Sequence, residues 1–147
     1  MKLLSRIAKC LLCLTMVLSL GGCLLIEYDF SLKQDSGNIT KVEFYRYQHD
    51  ETQPKSFLIM ELELDPALKM LEEITALPAY KHFGDSTTNY GSTIVYVTYS
   101  DHTGEVIGPF NTATVDTTGK WMRTGYYFKK EQWDAVIAKY IDLTTEL

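Results

Sequence analysis

Residues 39–64 read ITKVEFYRYQHDETQPKSFLIMELEL, and this stretch decides the fold. Its first part, 39–48, is rich in aromatic and β-branched residues that alternate between two faces, which predicts a strand. Val42 and Phe44 share one face of that strand, and Tyr45 and Tyr47 share the other with Glu43. The polar run 49–54 predicts a turn, and 55–64 predicts a second strand. The stretch is therefore expected to form a hairpin.

The second strand of this hairpin carries apolar residues at every other position, and we expect them to fill its inward face: Leu58, Met60, Leu62 and Leu64. Glu61 and Glu63 would then point the other way, about 7 Å apart. Glycosidases use carboxylate pairs at comparable distances, but those groups flank a cleft instead of pointing out in parallel from one strand. We therefore interpret the pair as part of a solvated strand face.

A helix is expected to follow the hairpin, because Asp65-Pro66 combines an N-cap residue with a proline suited to the first helical position. The apolar residues that recur at helical spacing form one stripe: Ala67, Met70, Leu71, Ile74 and Leu77. Pro78 ends this helix, and the long connection 80–91 follows. Long loops are often functional, so Tyr80 and Tyr90 are candidate contact residues.

The second half of the chain predicts a three-strand meander, 92–100, 105–116 and 120–128, and then a helix over 130–143. Asp101-His102-Thr103-Gly104 and Asp116-Thr117-Thr118-Gly119 are the turns between its strands. Gly108-Pro109 predicts a bulge or break in the middle strand, because proline cannot donate to a β-ladder. The last helix is expected to bury a set of apolar residues: Trp133, Val136, Ile137, Tyr140 and Ile141.

The element order β-β-α-β-β-β-α predicts an α+β fold, with an antiparallel sheet of about five strands and two helices packed on one face. The other face of such a sheet meets water, which makes it the candidate binding surface. Tyr45, Tyr47 and Tyr96 are the main candidates on that face, with Tyr126 and Trp121 as further ones. Tyrosine gives a large contact area with a polar tip at low entropic cost, which suits recognition.

The beginning of the chain has the pattern of an export signal. Lys2, Arg6 and Lys9 precede an apolar run over 10–20, which ends at Leu20-Gly21-Gly22-Cys23. This arrangement resembles a bacterial lipoprotein precursor. The resemblance implies that residues 1–22 are a signal peptide, that Cys23 carries a lipid after cleavage, and that the protein is extracytoplasmic and anchored to a bacterial membrane. The alternative is an uncleaved membrane helix over 10–26, close to the lower limit for spanning a bilayer.

Residues 23–38 are expected to be a lipidated N-terminus and a partly ordered tether, and 39–147 a single globular domain. An alternative is a first strand, since Ile26, Tyr28, Phe30 and Leu32 alternate with other residues. After loss of the signal, 11 basic and 19 acidic residues give a formal charge of −8, which disfavours nucleic acid and anionic lipid headgroups as partners. No thiol pair remains for a disulfide, so the domain must be stabilised by its core.

Motifs for catalysis are missing from the sequence, which has no G-x-S-x-G or S-x-x-K nucleophile pattern and no Gly-rich phosphate loop. His49, His82 and His102 lack metal-site spacing, so no metal or cofactor is expected. We interpret His82 with Asp85, and Asp101 with His102, as loop residues in water. The favoured hypothesis is a tethered, non-catalytic binding module for an envelope protein or glycan, inhibitor- or immunity-like in kind. The alternative is a small cell-envelope hydrolase with a site that carries no known motif.

Overall fold

The predicted hairpin is present in the computed structural model, which describes residues 26–49, 54–82, 89 and 91–141. Strand β1 (Ile39–His49) pairs antiparallel with β2 (Pro54–Leu62). The register shifts once: Phe44 lies opposite Met60, while Tyr45 lies opposite Leu58. Ile59 is therefore the extra residue of a β-bulge.

The bulge contradicts the prediction of one inward apolar face on β2. Since side chains alternate with a period of two, one extra residue moves every side chain beyond it to the opposite face. Leu58 consequently shares a face with Tyr45 and is 50% exposed, while Met60, opposite Phe44, is 38% exposed on this edge strand. Leu64 is the first residue of a helix and is also exposed. Among the β2 side chains that the structure describes, Ile59 and Leu62 pack against the main core.

The remaining elements follow in the order α1 (Leu64–Thr75), β3 (Ala79–Lys81), β4 (Ser92–Tyr99), β5 (Gly104–Ile107), β6 (Thr112–Val115), β7 (Trp121–Arg123), β8 (Tyr126–Phe128) and α2 (Lys130–Ile137). Six strands form one sheet in the order β2-β1-β4-β5-β6-β7, and β3 pairs with β8 in a second sheet. The described strand pairs are antiparallel. The α+β class with an antiparallel sheet and two helices is thus confirmed, whereas the expected five-strand count is too low.

The additional strands arise because two predicted strands are each divided by a turn. The middle strand of the meander breaks at Gly108-Pro109, as expected, and becomes β5 and β6, which pair with each other. The last strand is divided at Gly125, which has a φ of 77° that favours glycine, and becomes β7 and β8. The connection 80–91 contributes the end of β3, which no periodicity in the sequence marks.

A buried asparagine fixes the turn between β5 and β6. The Asn89 Oδ1 atom accepts hydrogen bonds from the Phe110 amide (2.9 Å) and the Asn111 amide (3.1 Å), and its Nδ2 donates to the Asn111 carbonyl (3.0 Å). The Asn89 side chain thereby supplies the hydrogen-bond partners that the backbone of this turn would otherwise lack. A Cβ at Gly108 would lie 2.6 Å from the Asn89 side chain, so the close approach requires glycine.

Helix α1 begins earlier than predicted. Its N-cap is Glu63, whose carbonyl accepts the Ala67 amide at 3.0 Å, and Asp65 lies inside the first turn without acting as the cap. Pro66 is tolerated there because the first four amides of a helix have no partner within it. The predicted apolar stripe is confirmed for its four buried members: Ala67, Met70, Leu71 and Ile74.

The main core lies between both helices and one face of the six-stranded sheet. From the sheet it takes Val42, Phe44, Val95, Val97 and Ile107, among others. Trp133 of α2 is fully buried, and its indole N–H donates to the Thr93 carbonyl at 3.0 Å. The prediction that Val136, Ile137 and Ile141 are buried is also confirmed. Helix α2 ends at Ile137, earlier than expected, and residues 142–147 lie outside the described part.

Residues 26–38, which we call the N-terminal segment, pack on the domain instead of hanging from it. Tyr28 forms a β-bridge with Ala79, and Phe30 is 6% exposed within the main core. The Lys33 amide donates to the Glu105 carboxylate at 2.9 Å, and the Gln34 amide group donates to Asp101 at 2.8 Å. The segment is therefore part of the folded domain, and the expected tether is correspondingly shorter.

Both predicted hairpin turns use the same side-chain device. The Asp101 carboxylate accepts the Thr103 amide at 3.0 Å, and the Asp116 carboxylate accepts the Thr118 amide at 2.8 Å. Each carboxylate also accepts a hydrogen bond from the hydroxyl of the same threonine. That hydroxyl is the largest cause of the lowered pKa of each aspartate, and the amide bonds add to it. The two aspartates are thus structural.

Candidate functional site

The sheet face opposite the helices carries aromatic side chains from β1, β4 and β7. The strand register places Tyr45 opposite Ile94, Tyr96 opposite Val106, and Trp121 opposite Val115. We call this surface the tyrosine face, and it consists of Tyr45, Tyr47, Tyr96 and Trp121 above a floor of Ile94, Val106, Ala113 and Val115. The structure thus places the predicted residues Tyr45, Tyr47 and Tyr96, and the further candidate Trp121, on one surface.

The aromatic rings of the tyrosine face lie over a floor of buried apolar side chains. Ile94 is 1% exposed and Val106 is 2% exposed, although their cluster includes no residue of the described helices. The Tyr45 and Tyr96 rings meet edge to face, with 6.2 Å between their centroids. Tyr96 also lies close to Gly104, where a Cβ would be 3.2 Å from the ring. The rings are therefore fixed by packing, and their half-buried surfaces are presented to solvent in a defined arrangement.

A small pocket lies at one end of the tyrosine face. Its walls include Tyr47, Trp121 and Asn89, its floor includes Ile94 and Ala113, and its volume is about 60 Å³. Pockets that hold a cofactor or a drug-sized ligand measure roughly 300–1,000 Å³. The pocket is thus of a size to receive one side chain of a larger partner.

Charged residues lie at the other end of the tyrosine face. Glu43 and Glu61 are direct cross-strand neighbours, and the Lys41 ammonium bridges them at 2.6 Å and 3.5 Å. The hydrogen bond to Glu43 is the main cause of a raised pKa at Lys41. The predicted Glu61 and Glu63 pair is wrong, because Glu63 follows the end of β2 and caps α1. Lys41 partly neutralises the Glu43 and Glu61 carboxylates, so these three side chains form an ion-pair cluster.

The hydroxyl groups of Tyr45 and Tyr96 remain protonated at neutral pH. Burial raises the pKa of both above the ordinary value, and the negative charge of Glu43 raises it further. The Tyr96 hydroxyl is therefore a neutral group that can donate a hydrogen bond to a ligand, whereas a hydrogen bond to Glu43 contributes to the raised pKa of Tyr45.

Several other predicted site residues lie elsewhere. Tyr80 is 2% exposed in β3, where its hydroxyl donates to Glu27 at 3.2 Å, so the interpretation of Tyr80 as a loop contact residue is wrong. It is buried because β3 pairs with β8. Tyr126 belongs to the second sheet and packs on Phe30. Tyr90 and Cys23 lie outside the described residues.

The histidines that the structure describes have local roles. His82 stacks on Tyr127 with 4.2 Å between ring centroids, and its Nε2 lies 3.1 Å from the Phe110 carbonyl. His102 is exposed in the turn after β4, with a φ of 64°. Within the described ranges, no group of three or more His, Cys, Asp or Glu residues is arranged to hold a metal ion.

A wider groove lies where the N-terminal segment crosses α1. It has a volume of about 580 Å³ and is lined by Asp29, Leu32, Gln34, Asp35, Leu68 and Glu72, among others. Its aromatic lining residue, Phe30, is buried in the main core and presents little surface to the groove. The tyrosine face therefore offers the larger aromatic contact surface.

No sequence pattern indicates the buried carboxyl group that lies on the helix side of the sheet. Glu105 is 6% exposed and accepts hydrogen bonds from the Tyr99 hydroxyl and the Lys33 amide. Burial raises the pKa of Glu105, while the hydrogen bonds oppose this shift. Burial and the adjacent carboxyl also raise the pKa of Tyr99 well above its ordinary value.

No helix among the described residues has the length and apolar character needed to cross a membrane. Comparison of the chain with protein-family profiles, with curated proteins and with solved structures found no match in any of the three.

Proposed function

We propose that this protein is a lipid-anchored, extracytoplasmic binding module that captures a protein partner through the tyrosine face. The observation that carries the proposal is the placement of Tyr45, Tyr47, Tyr96 and Trp121 as half-exposed or exposed rings over a buried apolar floor. Aromatic residues in such rigid settings supply most of the binding energy in many interfaces. The proposal assigns no catalytic chemistry to the chain.

The size of the pocket supports a protein as partner. A volume of about 60 Å³ between Tyr47 and Trp121 suits the tip of an apolar side chain and is too small to enclose a sugar ring or a cofactor. Interface hot spots commonly consist of one anchor residue in such a pocket, surrounded by contacts that exclude water.

Charge supports a partner with basic residues at the end of its contact surface that lies away from the pocket. Without the signal segment the chain carries a formal charge of −8, and the Glu61 side chain is 59% exposed at the end of the tyrosine face. Opposite charge on the partner would speed association and fix its orientation. This combination suits an inhibitor- or immunity-like role, which needs a shaped surface and no chemistry.

The anchor follows from the resemblance of Leu20-Gly21-Gly22-Cys23 to a lipoprotein signal. Two acyl chains, at about 0.8 kcal/mol per buried methylene, give stable attachment to a bilayer. Replacement Cys23→Ser is expected to leave an unlipidated precursor, measurable by intact mass. An unchanged mass together with membrane retention would favour the uncleaved helix instead.

Two neighbouring residues of β7 provide a matched test of the tyrosine face. Trp121 is 45% exposed on that face, whereas Met122 is 68% exposed and pairs with Thr114 on the opposite face. In lipidated protein cross-linked in its native cells, Trp121→Ser should reduce recovery of the partner about tenfold or more, as expected for an interface hot spot. Met122→Ser should leave recovery unchanged. Equal recovery with both variants would refute the assignment of the binding surface.

A further inference from the structure

The N-terminal segment enters the fold at one end of the domain. The Tyr28 amide donates to the Ala79 carbonyl at 2.8 Å, and the Tyr80 hydroxyl donates to Glu27. Both contacts hold the start of the segment against the small sheet formed by β3 and β8. The point at which the described chain begins is therefore fixed relative to the rest of the domain.

The connection from this point to the proposed lipid site is short. Ile26 is three residues after Cys23, and three extended residues span at most about 11 Å. A lipid on Cys23 lies in the bilayer, so Ile26 must lie close to the headgroups. This step rests on the lipid attachment proposed above.

The β3–β8 end of the domain combines residue types that favour a membrane interface. Ile26 itself is 61% exposed. The Lys81 ammonium lies 4.6 Å from the Tyr126 ring centroid and 5.3 Å from that of Tyr28. The Lys129 ammonium lies 5.5 Å from the centroid of Tyr80. Tyrosine rings and lysine side chains are enriched at headgroup level, where the ammonium groups meet lipid phosphates.

We propose that the β3–β8 end of the domain lies against the phospholipid headgroups of the bilayer that holds the anchor. Ile26, Tyr28, Lys81 and Lys129 form the contact, and the turns at Asp101 and Asp116 point away from the membrane. The negative net charge of the chain opposes contact with anionic headgroups, and Glu27 and Asp29 belong to the same end. The Tyr80 hydroxyl satisfies Glu27, and the contact relies on the local ammonium groups of Lys81 and Lys129.

This orientation determines where a partner meets the protein. The Phe128 amide donates to the Pro109 carbonyl at 2.8 Å, and the Tyr126 amide donates to the Thr112 hydroxyl at 3.2 Å. These bonds join the β3–β8 sheet to the end of the main sheet that contains the pocket of Tyr47 and Trp121. The pocket consequently lies on the membrane-proximal half of the tyrosine face, within reach of a partner that is itself bound to the membrane.

Nitroxide quenching in vesicles tests the orientation. The lipidated protein would be reconstituted into phosphatidylglycerol and phosphatidylethanolamine vesicles that contain a headgroup nitroxide lipid. A fluorophore is attached to a cysteine introduced by Lys129→Cys or, as a control, by Thr117→Cys in the exposed turn at the far end. Both positions are remote from Cys23 in sequence, and the mature chain has no other thiol.

We expect strong loss of fluorescence at position 129 and little loss at position 117. Equal quenching at both positions, or stronger quenching at 117, would overturn the orientation while leaving the anchor intact. Intact mass of the same samples measures the lipid on Cys23 separately, so an unmodified Cys23 would show that the attachment itself, and the orientation with it, is wrong.

Discussion

At the scale of single residues, Glu105 shows how a polar group is accommodated in the core of this protein. Its carboxyl group accepts bonds from the Tyr99 hydroxyl and the Lys33 amide, so it joins β4, β5 and the N-terminal segment. Burial nevertheless raises the pKa of Glu105 and disfavours its charged form.

The raised pKa of Glu105 predicts a specific dependence of stability on pH. Below the pKa of the unfolded chain the carboxyl is neutral in both states; as the pH rises through the folded pKa, ionisation destabilises the folded state. Replacement Glu105→Gln keeps an acceptor without the charge. The free energy of unfolding of the variant minus that of the native chain should therefore be larger near about pH 8 than near about pH 4, so the variant gains stability relative to the native chain as the pH rises. Urea denaturation at both pH values measures this, and a difference independent of pH would contradict it.

Asn89 and Gly108 form a second residue-scale unit. Asn89→Ala leaves the buried amides of the turn without their acceptor and should lower the free energy of unfolding by about 2–3 kcal/mol. Gly108→Ala places a Cβ 2.6 Å from the Asn89 side chain and should lower it by about 1–3 kcal/mol. Gly37→Ala is the control, since a Cβ there has no atom within 4 Å.

The double variant tests the origin of these costs. Because Asn89→Ala removes the group that the new Cβ of Gly108→Ala would meet, the combined loss should be smaller than the sum of the single losses. Strictly additive losses would show that the two residues act independently.

At the scale of elements, the N-terminal segment is the part whose role changes most between sequence and structure. The alternation of Ile26, Tyr28, Phe30 and Leu32 suits either a strand or a tether, and only long-range packing decides between them. Phe30 meets Phe128 at 5.3 Å and Tyr126 at 5.6 Å between ring centroids. The sequence contains both partners but does not show that they meet.

Replacement Phe30→Ala should therefore destabilise the whole domain, by about 3–5 kcal/mol, because it empties a buried aromatic site. Ile26→Ala, at a position that is 61% exposed, is the matched control and should leave the free energy of unfolding nearly unchanged. Thermal or urea unfolding of the two variants gives the comparison. A Phe30→Ala variant as stable as the native chain would mean that the segment is a tether after all.

The hairpin shows where element prediction succeeds and fails. The period of two in β1 correctly places Tyr45 and Tyr47 on one face, and the period of 3.6 correctly selects the buried side of α1. Leu58, Ile59 and Met60 are all apolar, so the alternation of apolar and polar residues does not reveal the one-residue bulge among them. The position of Trp121 beside Tyr47 depends on the order of the strands, which the sequence does not encode locally.

At the scale of the whole molecule, the two faces of the six-stranded sheet differ in what covers them. The helices and the N-terminal segment cover one face and supply the main core, while the tyrosine face remains accessible. In the proposed orientation, the lipid anchor and the β3–β8 sheet lie at the membrane. The accessible face then lies at the side of the domain, with its pocket toward the membrane. Under the proposed function, stability and recognition would use opposite faces, so variants of exposed rings should alter binding without removing the fold.

The central claim, capture of a protein by the tyrosine face, is tested most directly by site-specific photo-cross-linking in the native cells. A benzoylphenylalanine residue would replace Tyr47 in one strain and Lys69, exposed on α1 at the opposite side, in another. We predict one discrete protein adduct from position 47, its loss when Trp121→Ser is added, and no adduct from position 69. An adduct from position 69 alone, or the same adducts from both positions, would contradict the claim.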